Sequence, residues 1–175
     1  MPSKTFKNLK EEKRVNITNA LLEEFSNYSL ANAQVARIIV LAHISRGAFY
    51  SYFDDLKDSY RYLFSIVMQK VHTGVEIRHF ENLKGDDYFK FVKNFIETKE
   101  DDKYFLFIKR YFLENERLID VGIDFSSERR LVKGSMFNWA ATTLSHETIR
   151  QYFLMPDLKS TILEHFKKSI IKLEG

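Results

Sequence analysis

The chain has 175 residues, of which 45% are hydrophobic and 29% are charged. This length and balance indicate a globular protein with a substantial core, built as one large domain or two small ones. The absence of cysteine excludes disulfides and thiolate metal sites. No run approaches the roughly 18 apolar residues that cross a membrane, and the N-terminus lacks an apolar signal core. We therefore expect a cytoplasmic protein without membrane contact.

The positive charge is concentrated near the N-terminus. Residues 1–53 hold seven Lys and Arg against four Asp and Glu, whereas residues 54–175 hold twenty of each type. The whole net charge of +3 therefore comes from the N-terminal segment. Such a balance favours contact with a polyanion such as nucleic acid, although ordinary solubility charge can have this size.

The residue pattern predicts helices along nearly the whole chain, without strand-like alternation. The first helix is expected over residues 7–26, because apolar residues then share one face: Ile17, Ala20, Leu21 and Phe25. Basic residues recur every three or four positions around its start: Lys4, Lys7, Lys10, Lys13 and Arg14. They predict either a solvated arm or phosphate contacts at the edge of a nucleic-acid site.

Residues 33–53, AQVARIIVLAHISRGAFYSYF, have the pattern of a helix-turn-helix. Asn32 is placed to cap a short first helix whose apolar face holds Val35, Ile38 and Ile39. A break is expected over residues 41–44, between the first helix and the second.

A second short helix is expected after Ser45, a favourable N-cap residue. Its buried face holds Phe49 and Phe53, and its other positions are small or hydrogen-bonding residues. So little apolar surface does not stabilise a short helix alone, because helix nucleation is costly. The sequence therefore predicts a helix that other elements hold for presentation to a partner, and the charge favours DNA.

Residues 13–60 resemble the DNA-binding domain of the TetR family of bacterial transcriptional repressors. The most specific part of the resemblance is a Ser-basic-Gly-small-apolar-Tyr-x-Tyr-Phe run, present here over residues 45–53. The family pattern of the first helix is matched by Ala20, Leu21 and Phe25. The pattern of the second is matched by Val35 and Ile38.

The resemblance implies that residues 46–52 form a recognition helix for double-stranded DNA. Arg46 would then read guanine with two hydrogen bonds, while Gly47 and Ala48 allow close approach. Tyr50 and Lys57 would contact phosphate, together with the capped helix ends. The DNA-binding residues expected on this basis are Asn32, Gln34, Ser45, Arg46, Gly47, Ala48, Tyr50, Ser51, Tyr52 and Lys57.

Three positions differ from the family pattern. His43 stands in the interhelical turn where Gly is usual, which predicts a cost because positive φ suits Gly. Ile39 replaces a small Ala and predicts wider helix separation unless its neighbours are smaller. Leu56 replaces a Lys and removes one phosphate contact. These differences keep open an alternative function, a helical protein-interaction module whose helix-turn-helix does not bind DNA.

Downstream, a long helix is expected after Asp55, with Asp55 as its N-cap and Asp58 near its third position. Its apolar stripe comprises Tyr60, Leu63, Phe64, Val67 and Val71.

Further helices are predicted in the second half of the chain. They cover residues 86–99, a segment containing residues 104–113 capped by Asp101 or Asp102, residues 127–145, and the chain from about residue 155 to the end. We therefore expect an all-α protein with a three-helix helix-turn-helix domain over residues 1–54. A helical effector-binding and dimerisation domain is expected over residues 55–175.

The predicted helix around residues 104–113 is apolar nearly all round, so we expect it in the middle of the second domain. The aromatic residues there form either plain core or a pocket for an apolar or aromatic small molecule. Lys109 and Arg110 would meet an anionic group of that effector. The candidate effector-binding residues are Phe107, Lys109, Arg110, Tyr111 and Trp139.

No motif of an enzyme is present in the sequence, such as a phosphate-binding Gly-rich loop or a nucleophile elbow. We therefore expect neither catalysis nor a cofactor. His72, Glu76 and His79 lie on one predicted helix face at metal-ligand spacing. A solvated helix face explains them more simply, so no metal site is expected.

A single recognition helix contacts few base pairs, so a homodimer on a palindromic operator is expected. Its recognition helices would lie about 34–36 Å apart. The dimer would be a four-helix bundle of the last two helices from each subunit. Its expected residues are Leu131, Gly134, Ala141, Leu144, Ile162, Phe166 and Ile170. The sequence thus predicts a DNA-binding transcriptional regulator, acting as a ligand-responsive repressor.

Overall fold

The computed structural model describes residues 2–71, 83–98, 102–116, 118 and 132–175. Among these residues every regular element is a helix, so the predicted all-α class is confirmed. The chain divides into two compact units, one of residues 1–72 with 106–121 and one of residues 73–105 with 122–175. The functional division into residues 1–54 and 55–175 stays a prediction. Within the described ranges, no helix has the length and apolarity to span a bilayer.

The first unit begins with five helices. They are α1 (Lys4–Lys7), α2 (Glu11–Asn27), α3 (Val35–Leu41), α4 (Arg46–Tyr52) and α5 (Leu56–Val71). The predicted single helix over residues 7–26 is therefore wrong at its start. The amide of Asn8 closes α1 by donating to the carbonyl of Lys4, and α2 begins only after Lys10. The separate turn lets Phe6 enter the core, where its side chain is 1% exposed.

The buried faces of α2 and α5 follow the predicted stripes. On α2 the four predicted apolar residues are buried, and on α5 Tyr60, Leu63 and Val67 are buried, with Phe64 and Val71 half-buried. The Asp55 carboxylate accepts a hydrogen bond from the amide of Asp58 at 2.6 Å, as an N-cap residue does. The predicted cap and stripe of α5 are therefore confirmed.

The turn between α3 and α4 is a Schellman motif. The amide of Ile44 donates to the carbonyl of Ile39 at 3.1 Å, and the amide of His43 donates to that of Val40 at 3.3 Å. This pattern puts His43 in the left-handed region, with φ of 50°. The expected positive φ at His43 is confirmed, and its Cβ makes that conformation costly.

The first unit also contains most of α7 (Phe105–Arg110) and a π-helix (Tyr111–Asn115) that continues it. Before α7, the carboxylate of Asp102 accepts a hydrogen bond from the amide of Tyr104, so one of the two predicted caps is confirmed and Asp101 lies outside the described residues. The expectation of a helix buried all round is wrong. Leu106 is 54% exposed, because only one face of α7 packs against the aromatic residues of α5.

The second unit contains α6 (Gly85–Thr98), α8 (Met136–Leu154), a 3₁₀ turn (Pro156–Leu158) and α9 (Lys159–Glu174). Helices α6, α8 and α9 pack against one another in pairs. On α6, Val92, Phe95 and Ile96 are buried as predicted, whereas Phe89 is half-buried against Phe166.

The helix predicted over residues 127–145 has different bounds. Ser135 caps α8 by accepting a hydrogen bond from the amide of Asn138 at 3.1 Å, and the helix runs on to Leu154. No Gly or Pro interrupts residues 136–154, and the hydroxyl of Ser145 donates back to the carbonyl of Ala141 within the helix. Ser145 is therefore an interior residue and not the helix end.

The predicted dimer seam is wrong for four of its residues. Their side chains are buried within one chain, because they face the other helices of the second unit: Ala141, Ile162, Phe166 and Ile170. The apolar stripe that predicted a dimer interface is part of the core of a single chain. These residues are therefore not available to a partner.

The other predicted seam residues differ among themselves. Gly134 is exposed but precedes α8, so it does not form part of a helix interface. Leu144 is half-buried. Leu131 lies outside the described residues, as do His72, Glu76 and His79.

Replacing His43 by Gly is expected to raise the free energy of unfolding by about 1 kcal/mol. Glycine takes positive φ without a Cβ clash. Urea denaturation followed by circular dichroism measures this difference. His43→Ala is the control, because it shortens the side chain but keeps the Cβ, and it should gain at most about half as much. An equal gain from both variants would show that the imidazole, and not φ, carries the strain.

Candidate nucleic-acid interface

Helix α4 presents one face to solvent and buries the other. Ser45 caps the helix by accepting a hydrogen bond from the amide of Ala48 at 3.1 Å, as predicted. Phe49 and Phe53 are buried, and their ring centroids lie 5.5 Å apart. The buried aromatic residues hold the helix, while exposed residues cover the opposite face: Ser45, Arg46, Gly47, Tyr50 and Ser51.

Two long donor side chains stand on this exposed face. The guanidinium carbon of Arg46 lies 5.8 Å from the ring centroid of Tyr50. Both side chains are exposed, and the Tyr50 ring has an edge-on contact with buried Phe49. The exposed face of α4 therefore carries the positive charge of Arg46 and the hydroxyl group of Tyr50, whose ring is held by its contact with Phe49.

Tyr52 does not belong to this face, so its prediction as a DNA-binding residue was wrong. Its side chain is 5% exposed, and its ring packs edge-on against Phe6 with centroids 5.8 Å apart. Tyr52 follows Phe49 by three positions, so the two residues share the buried face of α4.

Gly47 leaves open space above α4. A Cβ added at Gly47 would meet only the hydroxyl oxygen of Ser45, at 4.0 Å. Its φ is not in the positive region either, since the only glycine of the described residues with positive φ is Gly175. The fold of this chain therefore does not need glycine at position 47.

A buried carboxylate fixes the start of α3, and sequence reasoning missed it. Glu24 of α2 is 1% exposed and accepts a hydrogen bond from the amide of Gln34 at 2.7 Å. Gln34 occupies the N-cap position. The predicted cap Asn32 is therefore wrong, and its side chain donates to the hydroxyl of Ser29 instead. A cap supplied from ten residues upstream leaves no local sequence signal.

Arg37 pairs with the same carboxylate. Its Nε and Nη2 atoms donate to Glu24 at 2.8 and 2.6 Å, and Nη2 also donates to the carbonyl of Asn32 at 2.9 Å. The guanidinium lies 3.7 Å from the ring centroid of Tyr28. The hydrogen bond to Glu24 raises the pKa of Arg37 above its usual value. Arg37 is thus a structural cation and is not free to bind an outside anion.

The remaining predicted interface residues lie on the surface or partly on it. Gln34 and Lys57 are exposed, at the start of α3 and in the first turn of α5, and Ala48 is half-buried. The hydroxyl of exposed Ser51 donates to the carbonyl of Ala48 at 2.7 Å. The DNA-binding role of these residues stays a prediction.

The predicted effector residues belong to different units. Phe107, Arg110 and Tyr111 belong to the first unit, and Trp139 belongs to the second. Phe107 is buried, with its ring centroid 5.2 Å from that of Tyr60.

The two cations among these residues differ. Lys109 is half-buried. The guanidinium of Arg110 donates to the carbonyl of Ser26 at 3.0 Å and also pairs with Glu114. Arg110 is therefore engaged by protein groups and not free for an anionic ligand.

No protein-family model matches the sequence, and no curated protein matches it. Among solved structures, the chain is similar to a TetR family transcriptional regulator from Chloroflexus aurantiacus J-10-FL. The two are 20% identical, with a TM-score of 0.48, and the match covers 99% of this chain and 97% of that one.

Proposed function

We propose that this chain is a transcriptional regulator that binds double-stranded DNA through α4. The observation that carries the proposal is the exposed face of that helix. It presents Arg46 and Tyr50 around Gly47, a position where the fold itself does not need glycine. A helix with this composition fits a major groove, where an Arg side chain can donate two hydrogen bonds to guanine.

The energetics of Gly47 support an outside partner. Glycine in a helix is less stable than alanine by up to about 1 kcal/mol. The space above Gly47 is open, so no internal contact offsets this cost. Close approach of another molecule's surface accounts for it, and a DNA base edge beside Arg46 is such a surface.

We propose that the regulator acts as a homodimer on a palindromic operator. Since several predicted seam residues are core, the seam moves to the exposed face of α8. Met136 is 83% exposed and Trp139 is 46% exposed, and Thr143 is exposed one turn further along. Met136 and Trp139 form the large apolar part of this exposed face, which a twofold partner would cover.

We also propose that an effector changes DNA affinity by acting on α7 and the π-helix. This segment is bonded to the helix-turn-helix at two points. Arg110 donates to the carbonyl of Ser26, and the buried side chain of Asn115 accepts a hydrogen bond from the amide of Leu30 at 2.9 Å. A ligand that shifts this segment would move the loop that leads into α3. The direction of the response, repression, is part of the proposal.

The decisive experiment compares specific and random DNA. The operator is selected from a random double-stranded library. Arg46→Ala is expected to weaken operator binding by about 1–3 kcal/mol and to relax preference at one base pair. Lys57→Ala should weaken binding to all DNA sequences alike. It should also lower the salt slope, the slope of log affinity against log salt concentration, by about one. Fluorescence anisotropy at several salt concentrations measures both effects.

The outcomes separate the two function classes. Equal losses on operator and random DNA for Arg46→Ala would mean that Arg46 contacts only phosphate. Failure of the wild-type protein to bind any DNA would instead support the protein-interaction module.

Gly47→Ala is expected to act on stability and on DNA affinity in opposite directions. The free energy of unfolding should rise by up to about 1 kcal/mol, because alanine favours the helix and meets open space. Operator affinity should fall about tenfold or more, because the added methyl group stands where the base edge must approach Arg46. Thermal unfolding and anisotropy measure the two quantities.

Gly85→Ala is the matched control for this variant. A Cβ at Gly85 would lie 3.2 Å from the carbonyl oxygen of Ile170 and 2.9 Å from the carboxylate of Glu174. It should therefore lower stability while leaving the intrinsic operator affinity of the folded protein unchanged. A Gly47→Ala variant that binds its operator as tightly as the wild type would contradict close approach at this position.

Charging the exposed stripe of α8 is expected to give a folded monomer. Met136→Glu combined with Trp139→Glu should abolish dimerisation at micromolar concentration, since two carboxylates from each subunit would be buried without partners. Sedimentation measures the mass, and circular dichroism checks the fold. Phe91→Glu, an exposed position on α6, is the control and should remain dimeric.

Trp139 also supplies an optical test, because it is the single Trp of the chain. Its fluorescence emission should shift to shorter wavelength as the wild-type protein is concentrated through the dimer transition. A dimer that forms without this shift would place the seam elsewhere.

A further inference from the structure

The N-terminal segment is bonded to the end of the recognition helix. The amide of Ser3 donates to the carbonyl of Tyr52 at 2.9 Å, and the hydroxyl of Ser3 donates to the carbonyl of Ser51 at 2.7 Å. The same hydroxyl oxygen accepts a hydrogen bond from the amide of Phe6 at 3.2 Å, which caps α1. One side chain thus joins the start of α1 to the end of α4.

These bonds satisfy groups that α4 cannot satisfy itself. The last carbonyls of any α-helix lack partners within the helix. In α4, which has seven residues, those of Ser51 and Tyr52 are bonded to Ser3. A helix this short has little stability of its own, so contacts at its end affect its order and orientation.

Phe6 fixes α1 in this position. Its ring centroid lies 4.9 Å from that of Phe53 and 4.9 Å from that of Tyr62. The side chain is buried, so α1 belongs to the core that carries α4 and is not a solvated arm. The basic residues Lys4 and Lys7 are exposed on a folded turn beside the recognition helix.

We propose that Ser3 is a positioning residue for DNA recognition, a role that rests on the proposed function of α4. The bond from Ser3 to Ser51 ends next to Tyr50, on the exposed side of the helix. Two hydrogen bonds from one guanidinium to one guanine require a fixed helix, whereas phosphate contacts tolerate movement. Ser3 therefore contributes to the preference for the operator over random DNA.

The test uses three full-length variants. Ser3→Ala removes the hydroxyl, and with it both the bond to Ser51 and the side-chain cap of α1, but keeps the amide bond to Tyr52. Ser3→Thr keeps a hydroxyl and should restore wild-type behaviour. Thr5→Ala removes an exposed hydroxyl from the same helix and is the matched control.

The first readout is the ratio of operator to random-DNA affinity. Ser3→Ala should lower this ratio by about 3- to 10-fold, the effect expected for the bond to Ser51, which of the two bonds of this hydroxyl is the one made to α4. Affinity for random DNA and the salt slope should not change. Ser3→Thr and Thr5→Ala should match the wild type in all three quantities.

The second readout does not depend on DNA. The amide of Phe53 donates to the carbonyl of Phe49 and reports the order of the last turn of α4. Hydrogen exchange at this amide should accelerate in Ser3→Ala by a factor similar to the loss in the affinity ratio. It should not accelerate in the other two variants.

The two readouts separate failure of the inference from failure of the proposed function. Unchanged exchange in Ser3→Ala overturns the positioning role, and so does an unchanged affinity ratio in a wild type that discriminates. A wild-type protein that does not distinguish any operator from random DNA contradicts the proposed function. It also removes the recognition role of Ser3, whatever the exchange rates show.

Discussion

The arrangement of the helix-turn-helix depends on one buried charge. Glu24 is placed among the apolar residues of α2, where an unpaired carboxylate would cost several kcal/mol. It is satisfied by the amide of Gln34, the N-cap of α3, and by the guanidinium of Arg37 in the first turn of that helix. The carboxylate therefore sets where α3 begins and which way it leaves α2. Arg37 extends the restraint to the loop by donating to the carbonyl of Asn32.

Helix α4 is held in a different way, by aromatic packing and by its neighbours' polar groups. Phe49 and Phe53 anchor the buried face of α4, and Phe6 closes the cluster from the N-terminal side. Helix α3, which precedes α4, is also held at its C-terminal end. The side chain of Asn16 in α2 donates to the carbonyl of Ala42, the C-cap of α3, at 3.0 Å. Helix α3 is thus bonded to α2 at both ends, and α4 is capped by Ser45 at its start and bonded to Ser3 at its end. Short helices need such contacts because helix nucleation is costly.

Local features were predictable from the sequence, and contacts between distant segments were not. The caps Ser45 and Asp55 and the buried positions of α4 and α5 followed from neighbouring residues. Glu24 and Ser3 act on helices far along the chain, so no residue spacing revealed them. On the proposed interface, the exposure of the Arg46 and Tyr50 side chains could be predicted from the sequence. The burial of Tyr52 against Phe6 could not, because the docking of α1 was not foreseen.

The second unit shows why an apolar stripe predicts burial but not the partner. Ile162, Phe166 and Ile170 have the spacing of a helix interface, and that interface is the core of one chain. The pattern alone does not distinguish a neighbouring helix from a second subunit. The proposed dimer therefore uses large apolar residues that the folded chain leaves exposed, such as Trp139, and only the folded chain separates these from the core residues.

Departures from local preference occur in the first unit, in the helix-turn-helix and in the π-helix bonded to it. His43 has positive φ, Gly47 weakens a helix without an internal reason, and a π-helix holds the buried Asn115. Asn115 bonds to Leu30 and donates to the hydroxyl of Tyr60 at 3.3 Å, and burial raises the pKa of that tyrosine. A neutral polar pair at this place has discrete partners, so moving the π-helix by one residue would break both bonds together. For the effector response proposed above, such an all-or-none change is what the π-helix would pass to the loop before α3, because both bonds are made by the same side chain.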